Sequence, residues 1–285
     1  QYSIIVGAND STMYFTGRNR KDNLGQEDVY MSKLTQQGWQ KAQLVKGINT
    51  ANGYESPMAI SVDGTTLLLF KNGSMCVTNK SIKGWTTPTP LPEELNNAKW
   101  QSDAMITSDG KAMLFAASKK NLSEYQQSNN VYEASNIFVS LIDSNGVWSE
   151  PIDLGPTINT PFCDRSPVLH PDMKTLYFCS EGHGTLGDMD VFKSTRIYED
   201  SWTDWTTPVN IGKEINSVDL DCWYRISTDG KKAYFSKTTD FDSKLFTTTI
   251  PTNMQPEPVV TIAGRVLDME NKPVGTTIRW ENLQT

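Results

Sequence analysis

Two histidines and four cysteines in 285 residues leave little material for metal or redox chemistry. There is no Cys-x-x-Cys pair, so neither a tetrahedral zinc site nor a dithiol redox motif is supported. Cys76 and Cys179 fall in strand-like runs and read as small core residues. Cys163 and Cys222 precede strands of neighbouring repeats, which leaves a disulfide between them as an alternative to two free thiols. No apolar run approaches the roughly 18 residues of a membrane-spanning helix. A basic surplus is missing as well. The net charge is −7, with both signs well mixed, which argues against sequence-independent binding to nucleic acid, since that rests on a Lys/Arg face. An acidic surface that keeps the protein dispersed is the simpler reading. No Ser/His/Asp, Cys/His or phosphate-cradling glycine motif occurs, and no cofactor is called for.

What the sequence does contain is repetition. Ser61-Val-Asp-Gly-Thr-Thr-Leu-Leu-Leu-Phe70, Thr107-Ser-Asp-Gly-Lys-Ala-Met-Leu-Phe115 and Ser227-Thr-Asp-Gly-Lys-Lys-Ala-Tyr-Phe235 are copies of one pattern. His170–Phe178 is a fourth copy, and Gly7–Phe15 a degenerate first. Each reads as a tight turn leading into a β-favouring, core-filling strand. The turn aspartates Asp10, Asp63, Asp109, Asp172 and Asp229 stand 53, 46, 63 and 57 positions apart. A third strand recurs at Asp28–Tyr30, Asn136–Phe138, Asp190–Phe192 and Lys244–Phe246. A fourth element recurs as Trp39…Ile48-Asn49-Thr50, Trp148…Ile158-Asn159-Thr160 and Trp205…Ile215-Asn216-Ser217, with Trp85…Leu91 as a weaker counterpart. Four short strands per repeat of roughly 40–50 residues, with loop insertions, spell a β-propeller. The fold class is therefore all-β, a five-bladed propeller over residues 1–250. Phe15, Leu69, Phe115, Phe178 and Phe235 are expected between neighbouring sheets.

The remainder reads differently. Residues 251–258 carry three prolines and read as a stiff, extended linker. Residues 259–285 alternate, turn and alternate again, like the beginning of a further, incomplete β module, and more protein is expected after Thr285. The chain opens at Gln1 inside a strand, as a processed fragment would. The fifth repeat lacks the Trp-containing element, so it is expected either to keep three strands, with an open edge along Leu245–Thr249, or to be clasped by residues upstream of Gln1. The insertion at 118–135 is a surface loop, read either as tolerated or as a partner-contacting arm. Asp188 and Asp190 in the loop 182–190 superficially suggest calcium, but EF-hand spacing is absent; a glycine-rich hairpin is the reading.

The block Ser166–Phe178, Ser-Pro-x-x-x-Pro-Asp-x-Lys-Thr-Leu-Tyr-Phe, resembles the WD40-like (PD40) repeats of TolB-type propellers. The trailing element Trp148–Thr160, Trp-x-x-Pro-x-x-Leu-Gly-x-x-Ile-Asn-Thr, is similar to the variety found in OmpA-family envelope proteins of Bacteroidetes. The segment from Val259 resembles a carboxypeptidase-regulatory-like β-sandwich. This order is similar to the PorE-type OmpA-family component of the type IX secretion system. The resemblance implies a periplasmic, outer-membrane-associated protein whose partners are envelope or secretion-system proteins. Peptidoglycan would be reached only through an OmpA-like domain that this chain does not contain. No functional residue carries over from the family.

Propellers bind at the mouth of their central channel. Counting back from the turn aspartates places Glu55, Gln101, Asp164 and Asp221 there, with Tyr2 in the first repeat. Arg165, Asp103, Trp223 and Tyr224 lie beside them. A glycoside hydrolase needs two carboxyl groups at a defined separation and in different environments. The equivalence of these positions between repeats argues instead that they bind the loops leading into each inner strand. The expected function is thus a non-enzymatic binding scaffold. The alternatives are a carbohydrate-active propeller, as hydrolase or glycan binder, and a TolB-like binder of an extended peptide.

Overall fold

The computed structural model describes residues 1–7, 10–98, 100–118, 135–239, 242–259, 266–270, 272 and 274–275. Among these, five antiparallel sheets follow one another along the chain. Blade one comprises Tyr2–Val6, Thr12–Arg18, Glu27–Thr35 and Gln43–Leu44. Blade two comprises Glu55–Ile60, Thr66–Lys71, Ser74–Ser81 and Thr89–Pro90. Blade three has Gln101–Ile106, Ala112–Ser118, Ser135–Leu141 and Ile152–Asp153. Blade four has Asp164–Leu169, Thr175–Ser180, Asp190–Thr195 and Val209–Asn210. Blade five stops at three strands, Leu220–Ile226, Lys232–Thr239 and Asp242–Thr249.

The repeated turn explains itself in hydrogen bonds. Asp109 accepts the Thr107 hydroxyl and the Lys111 N–H, and Asp229 does the same with Ser227 and Lys231. The residue after the aspartate takes a left-handed φ, which glycine adopts without a Cβ clash: Gly64, Gly110 and Gly230 lie at 69°, 72° and 71°. Blade four places Met173 there at φ 61°.

The core is a set of five seams, each between neighbouring blades. Leu69 packs with Tyr14 and Val29 between blades one and two. Phe115 packs with Met58 and Leu68 between two and three. Phe178 meets Leu114 and Ile137, and Phe235 meets Tyr177 and Cys179, in the next two seams. Phe15 packs with Tyr234 between blades five and one, which closes the ring. The expected aromatic column is therefore where the repeat places it. Burial of each such side chain contributes roughly 2–3 kcal/mol.

Outside the third strand of blades one to four, an asparagine clips the edge. Asn49 Oδ1 accepts the Val29 N–H while its Nδ2 donates to Val29 O; Asn96 does this to Met75, Asn159 to Ile137 and Asn216 to Val191. Among the described residues no asparagine does this for blade five. The segment expected as a stiff, extended linker instead forms a 3-10 turn, Thr252–Met254, that lies against blades four and five. Tyr177 Oη and Lys193 Nζ both donate to Met254 O. Met254 and Ile250 pack in the seam between these blades. In the other seams an outer tryptophan meets the residue equivalent to Tyr177: Trp85 meets Tyr14 and Trp39 meets Tyr234, both edge-on. Met254 thus occupies a position that tryptophan holds elsewhere. Gly230 lies under the strap, where a Cβ would approach Pro256 Cδ to 2.9 Å.

The insertion at 119–134 and almost all of the region expected as a second β module lie outside the described residues. Of that region, the described part includes a turn in which Asp268 N donates to Lys272 O and Val274 N to Val266 O. The four cysteines are free thiols. Cys163 hydrogen-bonds Ser135, and Cys222 hydrogen-bonds Ser166. Asp190 accepts the Leu186 N–H and the Asn210 amide, so the carboxylate of the loop 182–190 braces its own hairpin.

Candidate binding site at the channel mouth

Every inner strand carries one extra residue against its neighbour: the register shifts between Tyr2 and Ile5, Pro57 and Ala59, Ser102 and Met105, Arg165 and Val168, and Cys222 and Arg225. At the bulge, Ser3, Asp103, Ser166 and Trp223 take φ of 49°, 55°, 52° and 50°. Such conformations cost free energy for side-chain-bearing residues and persist only where the surroundings hold them. A proline fills the position in blade two, where φ is locked negative. Bulges re-aim side chains, and here Asp103 and Trp223 turn into the bore.

The mouth is a cavity of about 920 Å³. Arg165 lies in it with Nε 2.8 Å from Asp103 Oδ2. Its guanidinium sits between two indoles, 5.1 Å from the Trp100 ring centre and 5.4 Å from that of Trp223. Ser166 Oγ donates to the same Asp103 oxygen at 2.8 Å. Burial works against the Asp103 charge, but the Arg165 cation and the two hydrogen bonds outweigh it and hold the carboxyl below its ordinary range. Burial likewise opposes the Arg165 charge, and Asp103 more than offsets it. Tyr2 stacks obliquely on Trp223 at 4.9 Å and donates from its hydroxyl to Glu27. Its phenol is pushed well up by burial and then by the Glu27 charge. Below the mouth, Arg225 of blade five reaches across the bore to Met58 O of blade two. It separates the mouth from a smaller apolar cavity of about 140 Å³ at the opposite end.

Of the residues expected at the mouth, Tyr2, Asp103, Arg165 and Trp223 line it. Glu55, Gln101, Asp164 and Asp221 lie behind the wall, each fully or almost fully buried. Glu55 accepts the Thr50 hydroxyl and Lys71, Asp164 the Thr160 N–H and Ser180, Asp221 the Ser217 N–H and Lys237. Gln101 donates to Gly73 O. These groups brace the loop or hairpin beside each inner strand. Burial raises the carboxyls of Asp164 and Asp221 despite these bonds. Tyr224 is also buried, stacked on Tyr177 at 4.9 Å. Gln1, Asp242 and Ser243 line the mouth beside blade five, and Trp100, Glu27, Arg18 and Tyr54 line it further round. They fall just outside the inner strands, where counting within the repeat does not reach. Among the described residues no group of three or more metal-ligating side chains occurs.

No family model matches this sequence, and no curated protein matches it. Solved structures do share its fold. The catalytic domain of the Coprinopsis cinerea GH62 α-L-arabinofuranosidase superposes with a TM-score of 0.57 at 11% identity, covering 88% of this chain and 90% of that one. An α-L-arabinofuranosidase from Lactobacillus brevis superposes at 0.53 with 13% identity, covering 99% and 96%. TolB from Acinetobacter baumannii superposes at 0.49 with 14% identity over 90% of this chain, which spans 54% of that TolB chain. At such identities the likeness is one of fold alone, and no activity is transferred from any of them.

Proposed function

We propose that the protein is a non-enzymatic binding scaffold of the periplasm, holding envelope or type IX secretion proteins through the mouth of its propeller. The observation that carries this reading is the division of labour among the acidic groups. The three carboxylates of the repeat column brace loops, and the one at the centre of the mouth, Asp103, is paired with Arg165. Glycosidic cleavage needs one carboxyl poised as acid and a second free as base or nucleophile. In the mouth Asp103 is held by Arg165 and Ser166, Glu27 accepts the Tyr2 hydroxyl and Asp242 stands at the rim, around a held guanidinium and flat aromatic faces that suit recognition. The Bacteroidetes-type repeat supports the OmpA-family setting, with outer-membrane association and peptidoglycan contact supplied by domains beyond this chain and a regulatory-like sandwich after the propeller.

Trp100 and Trp223 report directly on the site. Extended peptides with a free C-terminal carboxylate should quench their fluorescence, and Arg165→Gln should weaken binding about tenfold, the loss of one charge-assisted hydrogen bond. A second reading rests on the same rings: Tyr2, Tyr54, Trp100 and Trp223 give faces on which sugars stack, so a glycan titration belongs in the experiment. Turnover of any glycoside that is abolished by Asp103→Asn or Glu27→Gln would overturn the non-enzymatic assignment.

A further inference from the structure

Arg225 breaks the repeat. Its place on the inner strand, opposite Tyr234, is held in blades one to four by Ile5, Ala59, Met105 and Val168, which stand opposite Tyr14, Leu68, Leu114 and Tyr177. The fifth blade thus puts a cation where the other four put an aliphatic side chain. It is 8% exposed, and its guanidinium donates to two main-chain carbonyls, Tyr224 O at 2.8 Å and Met58 O at 3.0 Å.

The charges around it do not balance. The carboxylate that acts on both Arg225 and Arg165 is Asp103, and Asp103 pairs with Arg165. Among the described residues no carboxylate lies within ion-pair distance of Arg225. Burial pulls its cation below the ordinary range, and the Asp103 charge offsets only part of that. A buried charge without a counter-ion is costly, and such charges are ordinarily paired.

Arg225 is also a wall of the cavity of about 140 Å³ at the far end of the channel. The residues that follow its row, Val6, Ile60, Ile106, Leu169 and Ile226, add one aliphatic side chain from every blade. His170 lines the same space; it is fully buried, and its Nε2 has no hydrogen-bond partner among the described residues. Ser108, Pro171 and Thr228, from the turns of the face opposite the mouth, stand at the outer end. No residue lines both this cavity and the mouth.

We infer that this cavity is a second binding site, for a small carboxylate on a short aliphatic body, entered from the face opposite the mouth. The carboxylate supplies the anion that Arg225 lacks, and the body lies against the two aliphatic rows. An apolar cavity of about 150 Å³ takes up benzene, so a body of about six carbons fits. An alkane would leave Arg225 unpaired, a cation would be repelled by it, and a sugar would lose hydrogen bonds against aliphatic walls. The site stands whether or not the mouth binds a ligand.

The probe is hexanoate, titrated at neutral pH and followed through the methyl resonances of Ile60, Ile106 and Ile226 and through tryptophan fluorescence. The methyl groups should shift and the fluorescence should hold, since no tryptophan lines this cavity while Trp100 and Trp223 line the mouth. From acetate to hexanoate each added methylene should tighten binding about threefold to fourfold. Decanoate should gain less per methylene, because its end leaves the enclosed walls. Hexanol and hexylamine should bind at least about tenfold more weakly, for want of the charge-assisted hydrogen bond. Arg225→Met, which keeps the length without the cation, should abolish the preference for hexanoate over hexanol, and Ala59→Leu should fill the space and block both. The ligand series uses the unaltered protein, so a folding defect in either variant leaves the test standing. Quenched tryptophans with unmoved methyl groups, hexanol binding as tightly as hexanoate, affinity independent of chain length, or no binding at all would each overturn the inference.

Discussion

The seam between blades four and five and the seam between blades five and one use the same repeat positions, and they are filled differently. In the first, Tyr177 stacks on Tyr224, Phe235 is buried beside them, Ile211 and Ile215 enter from the outer segment, and Ile250 and Met254 close it from the strap. In the second, the buried apolar side chains are Ile4, Met13, Phe15, Tyr30 and Tyr234, with Val6, Trp39, Ala42, Leu44 and Leu245 partly buried against them. The polar stitching is also light: the Gln1 amine donates to Ser243 O and Ser236 Oγ to Gln1 O. A ring built from repeats spreads its core evenly wherever one blade hands its outer segment to the next. Where that hand-over fails, the seam loses two apolar side chains and an asparagine clip together. Stability should therefore be lowest at that seam, since local opening follows where apolar contacts and protected backbone bonds are fewest.

The sharpest way to break this comparison is to make one substitution in both seams. Phe235→Ala in the well-filled seam should cost about 4 kcal/mol, within the range for a buried Phe→Ala change. Phe15→Ala occupies the same repeat position but faces a thinner wall that can relax around the loss, so it should cost roughly 1 kcal/mol less. Chemical unfolding with a common m-value checks both. Equal costs, or a larger one for Phe15, would mean that the fifth blade closes the ring as firmly as any other.

The fold was legible because the repeat writes its constraints several times over. The turn aspartate, the aromatic at its fixed offset and the Ile-Asn-Thr element recur in register, so each copy checks the others. The site was legible only in part. Arg165, Asp103, Trp223 and Tyr2 lie where the inner strands begin, and counting from the turn finds them. Counting does not reveal which face of a strand a residue occupies, because side chains alternate and a shift of one inverts them. The column of Glu55, Gln101, Asp164 and Asp221 therefore points behind the wall, and the next residue, such as Arg165, points into the mouth. The bulge that turns Asp103 and Trp223 inward leaves no mark in the sequence, since neither is glycine. The strap was hidden for another reason: three prolines describe stiffness equally well in a free linker and in a seated turn, and only the Tyr177 and Lys193 bonds to Met254 separate the two.

A smaller effect sharpens the comparison at the clip. Asn216→Ala removes an acceptor 2.9 Å from Val191 N and a donor 2.8 Å from Val191 O, leaving the N–H buried without a partner and the carbonyl with the Ile211 N–H alone. About 2 kcal/mol is the expected cost. Hydrogen exchange then provides the internal control. The Val191 amide should accelerate in the variant towards the rate of Leu245 in the unaltered protein, whose outward N–H has no clip. If Leu245 exchanges as slowly as Val191 from the start, the edge of blade five is not open.

The smallest effect is in two turn carboxylates with opposite shifts: Asp172 of blade four, and Asp10 of blade one, which the structure seats one position later, in the left-handed place of Gly64 and Met173. Asp172 is buried, which alone would raise its pKa, but the His170 ring, the N–H groups of Thr175 and Lys174 and the Thr175 hydroxyl outweigh burial and bring it down to about 2 from 3.8. A depressed folded pKa contributes stability above the unfolded value and loses it as pH falls towards the folded one. Asp172→Asn should therefore lower the melting temperature at pH 7 and flatten its decline between pH 4 and 2. Asp10 is raised, by burial and then by the neighbouring Asp229 charge, with Lys232 pulling the other way. Its ionisation therefore weakens the fold as pH climbs through the folded value, and neutral asparagine should remove that strain. Asn also tolerates the left-handed φ of 52° found there. Asp10→Asn should raise the melting temperature at pH 7 by up to about 2 °C, with the gain disappearing below pH 4. A fall at neutral pH instead would show that Asp10 braces its turn as Asp172 does, and that the charge at this seam is compensated after all.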